Sequence, residues 1–199
     1  MVKDPQLVKI RREQMIKGAV RLFIEKGFHR TTTREIAKES GFSIGTLYEY
    51  IGSKEDVLYL VCDAIYEEVR DRLAKQLDTK SIGIERLKNV IAAFFQVVDD
   101  MEDEVLVMYQ EVKSLPKEAL PYVLQKEFEM IDMIEKIIEA CVAEGELNIS
   151  PEKIKLTAHN ILVQGHMWTF RRWAIRKQFT LEEYTKLQIE QLLAGMKTS

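Results

Sequence analysis

Residues that interrupt regular structure are scarce in this chain of 199 amino acids, which contains 4 prolines and 9 glycines. Strand-rich folds need many turns, so this scarcity favours long helices. The 2 cysteines, Cys62 and Cys141, lie far apart in apolar segments. Their placement favours reduced thiols in the core of a cytosolic protein, and a disulfide or a redox switch is the alternative.

Long hydrophobic runs are also missing. No segment approaches the roughly 18 apolar residues that a membrane-spanning helix needs. The first residues, MVKDP, lack the apolar core of a signal peptide. We therefore expect a soluble, cytoplasmic protein without a membrane partner, and the hydrophobic fraction of 46% is sufficient for a substantial core.

Motifs of the common enzyme classes are absent as well. The sequence has no glycine-rich phosphate loop, no Gly-x-Ser-x-Gly, no His-Glu-x-x-His and no Cys-x-x-Cys. Di-metal sites in helical bundles use Glu-x-x-His pairs, and none of the 3 histidines follows a glutamate at that spacing. His159 and His166 share a helix face but would lie roughly 10 Å apart. We expect neither an enzyme, nor a metal site, nor a cofactor.

Charge is distributed unevenly, although the net charge is only −3. The head (residues 1–55) contains 11 Lys and Arg against 7 Asp and Glu, whereas the body (residues 56–199) contains 18 against 25. A basic head on an acidic body is typical of a protein whose head alone meets nucleic-acid phosphates.

Apolar residues recur at helical spacing along the whole chain. In the head, capping residues predict where helices start: Thr32 with Glu35, Ser43, and Ser53. We expect an all-α fold of about nine helices. The predicted helices are one that ends before Gly27, two short ones over about 33–40 and 43–50, a long one after Ser53, and others over about 87–98, 104–113, 122–143, 151–176 and 180–196.

Two short helices joined by a glycine turn and braced by a longer first helix form the helix-turn-helix that reads DNA. Residues 36–55 of this chain read IAKESGFSIGTLYEYIGSKE. This segment closely resembles the signature of the TetR family of bacterial regulators, IA…aGvs.GtlY.yF..Ke.l. The resemblance covers about residues 10–60 in detail, and beyond them only helix number and lengths agree.

The resemblance implies which residues of the head contact DNA, and their chemistry agrees. Gly45 would let the backbone approach DNA without a Cβ in the way, and hydroxyls can bind phosphates. The alternative is that the hydroxyls only cap helices and the tyrosines belong to the core. Ile36, Ala37, Leu47 and Ile51 are expected in the core of the head. The implied contact residues are Thr32, Thr33, Ser43, Gly45, Thr46, Tyr48, Tyr50 and Lys54.

Three residues depart from the family pattern. Phe42 replaces a small aliphatic residue, and Ile51 replaces a phenylalanine. Ile44 stands where a lysine or another polar residue is common. Ile44 is a further DNA-binding candidate because its side chain could contact a thymine methyl group in the major groove. It could equally pack on the body.

For the body, the resemblance implies a homodimer formed by the last two helices of each subunit. Two wide apolar faces near the C-terminus agree with this, because they exceed what one subunit needs to bury. The first face comprises Ile154, Ala158, Ile161, Leu162, Gly165, Trp168 and Thr169, and the second comprises Leu181, Tyr184, Leu187 and Leu192.

The resemblance also implies a small-molecule effector that binds between helices of the body. Aromatic and methionine side chains are candidate contacts because they line adaptable pockets, and ordinary core packing is the alternative. Arg171 and Arg172 could complement a helix C-terminus or bind the anionic part of an effector. The candidate ligand-binding residues are Phe94, Phe95, Met108, Tyr109, Phe128, His166 and Trp168.

These features together predict a ligand-responsive, DNA-binding transcriptional regulator with a DNA-binding domain over 1–55 and a ligand-binding and dimerisation domain over 56–199. By resemblance it is a repressor that binds a near-palindromic operator as a dimer. A small, largely apolar effector, with acyl-CoA as one candidate, would release it. The alternative is a helical interaction or structural protein without sequence-specific DNA binding.

Overall fold

A computed structural model describes residues 4–77 and 80–196, with all their side chains except those of residues 76 and 77. This part of the chain forms ten α-helices and no β-strand, with a 3₁₀ turn at Val112–Ser114. The all-α class is confirmed, with one short helix more than expected. The helices are α1 (Pro5–Lys26), α2 (Thr33–Glu39), α3 (Ile44–Tyr48), α4 (Lys54–Leu77), α5 (Gly83–Asp100), α6 (Glu102–Glu111), α7 (Leu120–Ala143), α8 (Pro151–Phe170), α9 (Arg172–Ile175) and α10 (Leu181–Ala194).

The described residues divide into two compact units. The first unit combines residues 4–65 with 103–123, and the second combines 66–102 with 124–196. Helix α4 begins in the first unit and ends in the second. The functional division after residue 55 stays a prediction, because the first unit extends beyond the head. None of the described helices has the length and apolar character needed to cross a bilayer.

Local hydrogen bonds fix the helix ends of the first unit where the sequence predicts them. At the start of α2, the Thr32 hydroxyl accepts from the Glu35 N–H, and the Glu35 carboxylate accepts from the Thr32 N–H. This is a complete capping box. At α3, the Ser43 hydroxyl accepts the Thr46 N–H at 3.0 Å. Gly27 ends α1 with a φ of 88°, a left-handed conformation that favours glycine.

The core of the first unit contains the four residues of the head that were expected there. Ile36 and Leu47 are fully buried, and Ala37 and Ile51 are nearly so. Ile51 therefore fills the position of the family's usual phenylalanine with a smaller apolar side chain. This packing holds α2 against both α1 and α3.

In the second unit, α5 packs closely on α8 because Gly165 has no side chain. A Cβ at Gly165 would lie 2.5 Å from Phe94 Cε1 and 3.1 Å from Phe95 Cδ1. Both distances are shorter than ordinary carbon–carbon contacts. The rings of α5 therefore fill the space beside the α8 backbone.

The sequence assigned the wide apolar face of α8 to the dimer interface, and this assignment is wrong. Helix α5 packs on α8 within the same subunit and buries that face. The sequence pattern identifies which helix faces are apolar, but it does not show which helices pack together within one subunit. The buried residues are Ile154, Ala158, Ile161, Leu162, Gly165, Trp168 and Thr169. The outward side of α8 instead exposes Leu156 and Val163.

The predicted single helix through residue 176 is interrupted at Arg171, which has φ −110° and ψ 22°. Neither glycine nor proline marks this break. Beyond it, the Arg176 guanidinium lies 2.5 Å from Glu102 and 2.9 Å from Asp99, and Arg172 lies 3.5 Å from Glu102. These ion pairs tie α9 and the residue after it to Asp99 at the end of α5 and to Glu102 at the start of α6.

Candidate nucleic-acid interface

The turn between α2 and α3 has the geometry of a helix-turn-helix. Gly41 adopts a φ of 75°, which residues with a Cβ rarely adopt. Its N–H donates to the Lys38 carbonyl at 3.1 Å, and the Phe42 N–H donates to the Ala37 carbonyl at 2.8 Å. These bonds end α2 and redirect the chain into α3.

Hydroxyl groups from both short helices lie at the surface of the first unit. Thr33 Oγ1 lies 3.0 Å from the Tyr48 hydroxyl, which joins the start of α2 to the end of α3. Ser43 Oγ lies 2.9 Å from Thr46 Oγ1. Tyr48 is 53% exposed, so it does not belong to the core. The hydroxyls of Ser43 and Thr32 do cap helices, and both residues are also exposed.

Gly45 stands in open space at the first turn of α3. A Cβ there would have a single neighbour within 4 Å, Ser43 Oγ at 3.8 Å. In contrast, a Cβ at Gly18 in α1 would lie 2.6 Å from Ser40 Oγ. Packing inside the first unit therefore explains the glycine at position 18 and does not explain the one at position 45. The open space is consistent with close approach by another molecule.

Two further candidates lie beside this surface. Ile44 is 36% exposed, so the fold leaves part of an aliphatic side chain accessible. Tyr50 is partly buried. Together with Tyr48 and Tyr59, it lines a groove of about 510 Å³ at the end of α3.

Lys54 is positioned differently from the other candidates. Its ammonium group donates to the backbone carbonyls of Phe28 at 2.9 Å, His29 at 3.1 Å and Thr31 at 3.2 Å. It also lies 4.6 Å from the centre of the Phe28 ring. A lysine has three N–H donors, and these carbonyls engage all of them. Lys54 therefore holds the loop between α1 and α2.

Part of the head's positive charge is neutralised within the first unit. Lys26 pairs with Glu35, and this interaction is the main cause that lowers the pKa of Glu35 to about 2. Arg21 lies 2.5 Å from Glu39. Other basic residues of the described head make no ion pair with a carboxylate. These are Lys9, Arg11, Lys17, Arg30, Arg34 and Lys38.

The sequence reasoning missed Asp63, which joins three helices of the first unit. The Arg12 guanidinium of α1 lies 2.5 Å from its carboxylate, and the Tyr122 hydroxyl of α7 donates to it at 2.8 Å. The hydrogen bond to Asp63 raises the pKa of the Tyr122 hydroxyl. The sequence offered one indication of this role, an acidic residue between the apolar Val61 and Ile65 of α4. Its partners lie 51 and 59 residues away in the sequence.

Four of the seven candidate ligand-binding residues form one aromatic cluster in the second unit. The ring centroids are 5.9 Å apart for Phe94 and His166, 5.8 Å for Phe95 and Tyr184, and 5.1 Å for Trp168 and Tyr184. The four candidates are all buried, and burial lowers the pKa of His166 to about 4. His166 is therefore neutral at pH 7. Core packing accounts for these contacts, and a ligand-binding role stays a prediction.

The other three candidates are dispersed. Met108 is buried and Tyr109 is 51% exposed, and both lie on α6 in the first unit. Phe128, on α7 in the second unit, is 59% exposed. Neither unit by itself gathers all seven residues. In the part of the chain that is described, no cluster of three His, Cys, Asp or Glu side chains could hold a metal ion.

The basic segment after α8 is only partly neutralised. Asp99 accepts from the Trp168 indole N–H at 2.7 Å and from Arg176. Arg172 lies near Glu102, as described above. Arg171 instead lies 5.5 Å from the centre of the Trp173 ring, and that tryptophan is 67% exposed. Of the two neighbouring arginines, Arg171 is therefore the one that remains accessible to an anion.

Comparisons with known proteins agree with this architecture. Residues 15–59 match the family model of "Bacterial regulatory proteins, tetR family", and residues 81–172 match "Tetracyclin repressor-like, C-terminal domain". The chain is 33% identical to the HTH-type transcriptional regulator HbdR of Aromatoleum sp. (strain CIB), over 94% of this chain and 80% of that protein.

Two other similar proteins are a named repressor and a protein solved together with operator DNA. The HTH-type transcriptional repressor KstR2 of Rhodococcus jostii (strain RHA1) is 28% identical, over 82% of this chain and 79% of that protein. The crystal structure of AibR in complex with isovaleryl coenzyme A and operator DNA shares the fold, with a TM-score of 0.77 and 18% identity, over 91% of this chain and 97% of that one. From the identity to HbdR over nearly the whole sequence, the chain belongs to the TetR family of bacterial transcriptional regulators.

Proposed function

We propose that this protein is a ligand-responsive repressor that binds a near-palindromic operator as a homodimer. The observation that carries the DNA-binding part is the exposed surface of α2 and α3. It combines uncrowded backbone at Gly45 with hydroxyl groups on the same two helices. Such a surface suits an α-helix that enters the major groove while hydroxyls bind phosphates.

The contact surface that we propose comprises eight residues of the head. Phosphates would bind the hydroxyls, and Ile44 would contact a thymine methyl group. Lys54 is left out because backbone carbonyls already engage its ammonium group. The proposed residues are Thr32, Thr33, Ser43, Ile44, Gly45, Thr46, Tyr48 and Tyr50. Binding to a duplex from upstream of the protein's own gene, or to one selected from random sequence, tests this function directly.

The variant Gly45→Ala tests DNA recognition by α3 without loss of fold stability. The added methyl group has room inside the protein, and alanine favours a helix over glycine by about 1 kcal/mol, so the melting temperature should stay or rise. DNA affinity should fall at least tenfold, about 1.4 kcal/mol, because the methyl group would stand between α3 and the DNA. Gly195→Ala, also in open space, is the control and should leave affinity unchanged. Unchanged affinity for Gly45→Ala would remove this position from the interface.

Lys54→Met tests whether this lysine supports the loop or binds phosphate. Without the ammonium group three carbonyls lose their donor, so we expect a loss of stability on the order of 1 kcal/mol. Affinity for the duplex should fall equally at all salt concentrations. A phosphate contact would instead flatten the slope of log K against log salt by about 0.9. Lys17→Met removes an equal charge elsewhere and should change neither quantity. A flattened slope would return Lys54 to the contact surface.

The outward sides of α8 and α10 support the proposed dimer. Leu156 is 61% exposed and Val163 is 57% exposed, and their spacing of seven residues puts them on one side of α8. On α10, Leu187 is 47% exposed while Tyr184 is buried. Exposed aliphatic residues on two neighbouring C-terminal helices suit an isologous interface, in which the same surface serves both subunits.

Val163→Glu should convert the dimer into a monomer, because a charge would face its symmetry mate in the interface. Sedimentation velocity measures the change, and duplex affinity should fall because two linked heads no longer bind together. The control is Ile82→Glu at the start of α5, where the isoleucine is 65% exposed. A dimer that survives Val163→Glu would place the interface elsewhere.

The proposed effector is an apolar molecule with an anionic group, such as an acyl-CoA. Its support comes from the exposed Phe128 and the accessible Arg171, both in the second unit, and from the AibR complex named above. A ligand releases DNA only if it binds the DNA-incompetent conformation more tightly. The buried aromatic cluster would contribute packing unless that conformation opens it.

Acyl-CoA thioesters of increasing chain length should lower duplex affinity by roughly 5- to 150-fold, and free coenzyme A should act weakly. Phe128→Ala should blunt this response without loss of ligand-free binding, because the Phe128 side chain is exposed. Arg171→Gln should weaken it if the anionic group binds there. The control is Leu124→Ala, also exposed on α7. No response to any thioester would reject this effector class and leave the DNA-binding proposal standing.

A further inference from the structure

An arginine outside the helix-turn-helix lies beside its turn. Arg11, on α1, has its guanidinium carbon 4.8 Å from the centre of the Phe42 ring. Phe42 is 9% exposed and directly precedes Ser43, which caps α3. Phe42 is also the residue that replaces the family's small aliphatic at this turn. The unusual aromatic side chain and the arginine therefore form a pair.

The donors of Arg11 are largely unused. Within residues 4–77 and 80–196, its side chain makes one hydrogen bond, a long one from Nη1 to Gln14 Oε1 at 3.4 Å. The next residue, Arg12, shows the opposite behaviour, because it pairs with Asp63 at 2.5 Å. Among the described residues, no carboxylate pairs with Arg11. A guanidinium that lies over an aromatic ring keeps its edge donors free for a bidentate phosphate contact.

We propose that Arg11 binds a DNA phosphate next to the first turn of α3 and that Phe42 positions it. The proposal rests on the DNA-binding function proposed above. Phe42 holds the guanidinium and directly precedes Ser43, a residue of the proposed contact surface. Arg11 itself lies four residues before the segment 15–59 that matches the family model.

The salt dependence of duplex binding distinguishes a phosphate contact from a purely structural pair. Arg11→Gln should weaken binding and flatten the slope of log K against log salt by about 0.9. In consequence, the affinity ratio of wild type to variant should shrink about 3.5-fold between 50 and 200 mM salt. The melting temperature should change little, since Arg11 makes no ion pair with any described residue. The probe is the duplex selected in the binding experiment above.

Two matched variants control for charge. Lys17→Gln removes one positive charge from the same helix, and Lys17 lines a groove with Asp103 and Glu104 of the first unit. Its slope should equal that of the wild type. Arg11→Lys should restore the slope because it keeps the charge, while affinity should recover only in part because a lysine lacks the bidentate fork.

A double-mutant cycle tests the positioning by Phe42. If Phe42 acts through Arg11, Phe42→Leu should weaken binding by itself but have little further effect in the Arg11→Gln background. Additive losses would show that Phe42 acts independently. An unchanged slope for Arg11→Gln, in a protein that binds the duplex, would overturn the phosphate contact alone. A wild-type protein that binds no selected duplex would overturn the proposed function first.

Discussion

The ammonium group of Lys54 holds the loop between α1 and α2, and the arrangement of the head depends on this interaction. Three carbonyls converge on one cation over the Phe28 ring. The capping residue of α2, Thr32, follows the last of these carbonyls directly. Lys54 is also the first residue of α4, which continues into the second unit. The same lysine therefore links this loop to the first turn of α4.

Internal pairing decides which charges of the head can meet DNA. The net charge of the chain is negative, yet the described head keeps several basic side chains without a carboxylate partner. Arg12, Arg21 and Lys26 are engaged by acids of the same unit, and such pairs contribute geometry rather than long-range attraction because each is close to neutral. The sum of formal charges therefore predicts that the head has a positive net charge, but it does not predict which basic residues lack a carboxylate partner.

Local signals were readable from the sequence, whereas long-range partners were not. The capping boxes at Thr32 and Thr180 involve residues three apart, so a sequence pattern contains the whole interaction. The partners of Lys54 lie 23 to 26 residues away and are backbone atoms, which no side-chain pattern encodes. The break at Arg171 has the same origin, since the acids that favour it lie on a different segment. The buried face of α8 was misassigned because periodicity identifies an apolar face but not its partner.

Two glycines in helices show that the sequence alone is also limited in predicting recognition sites. Gly165 is required by neighbouring rings, because a Cβ would overlap Phe94. Gly45 has no such neighbour, and an exposed glycine inside a helix lowers stability by about 1 kcal/mol relative to alanine. A residue that the fold does not need, and that costs stability, is expected where function requires it. Both positions are glycine in the sequence. Only the three-dimensional surroundings show that packing requires the glycine at 165 and does not require the one at 45.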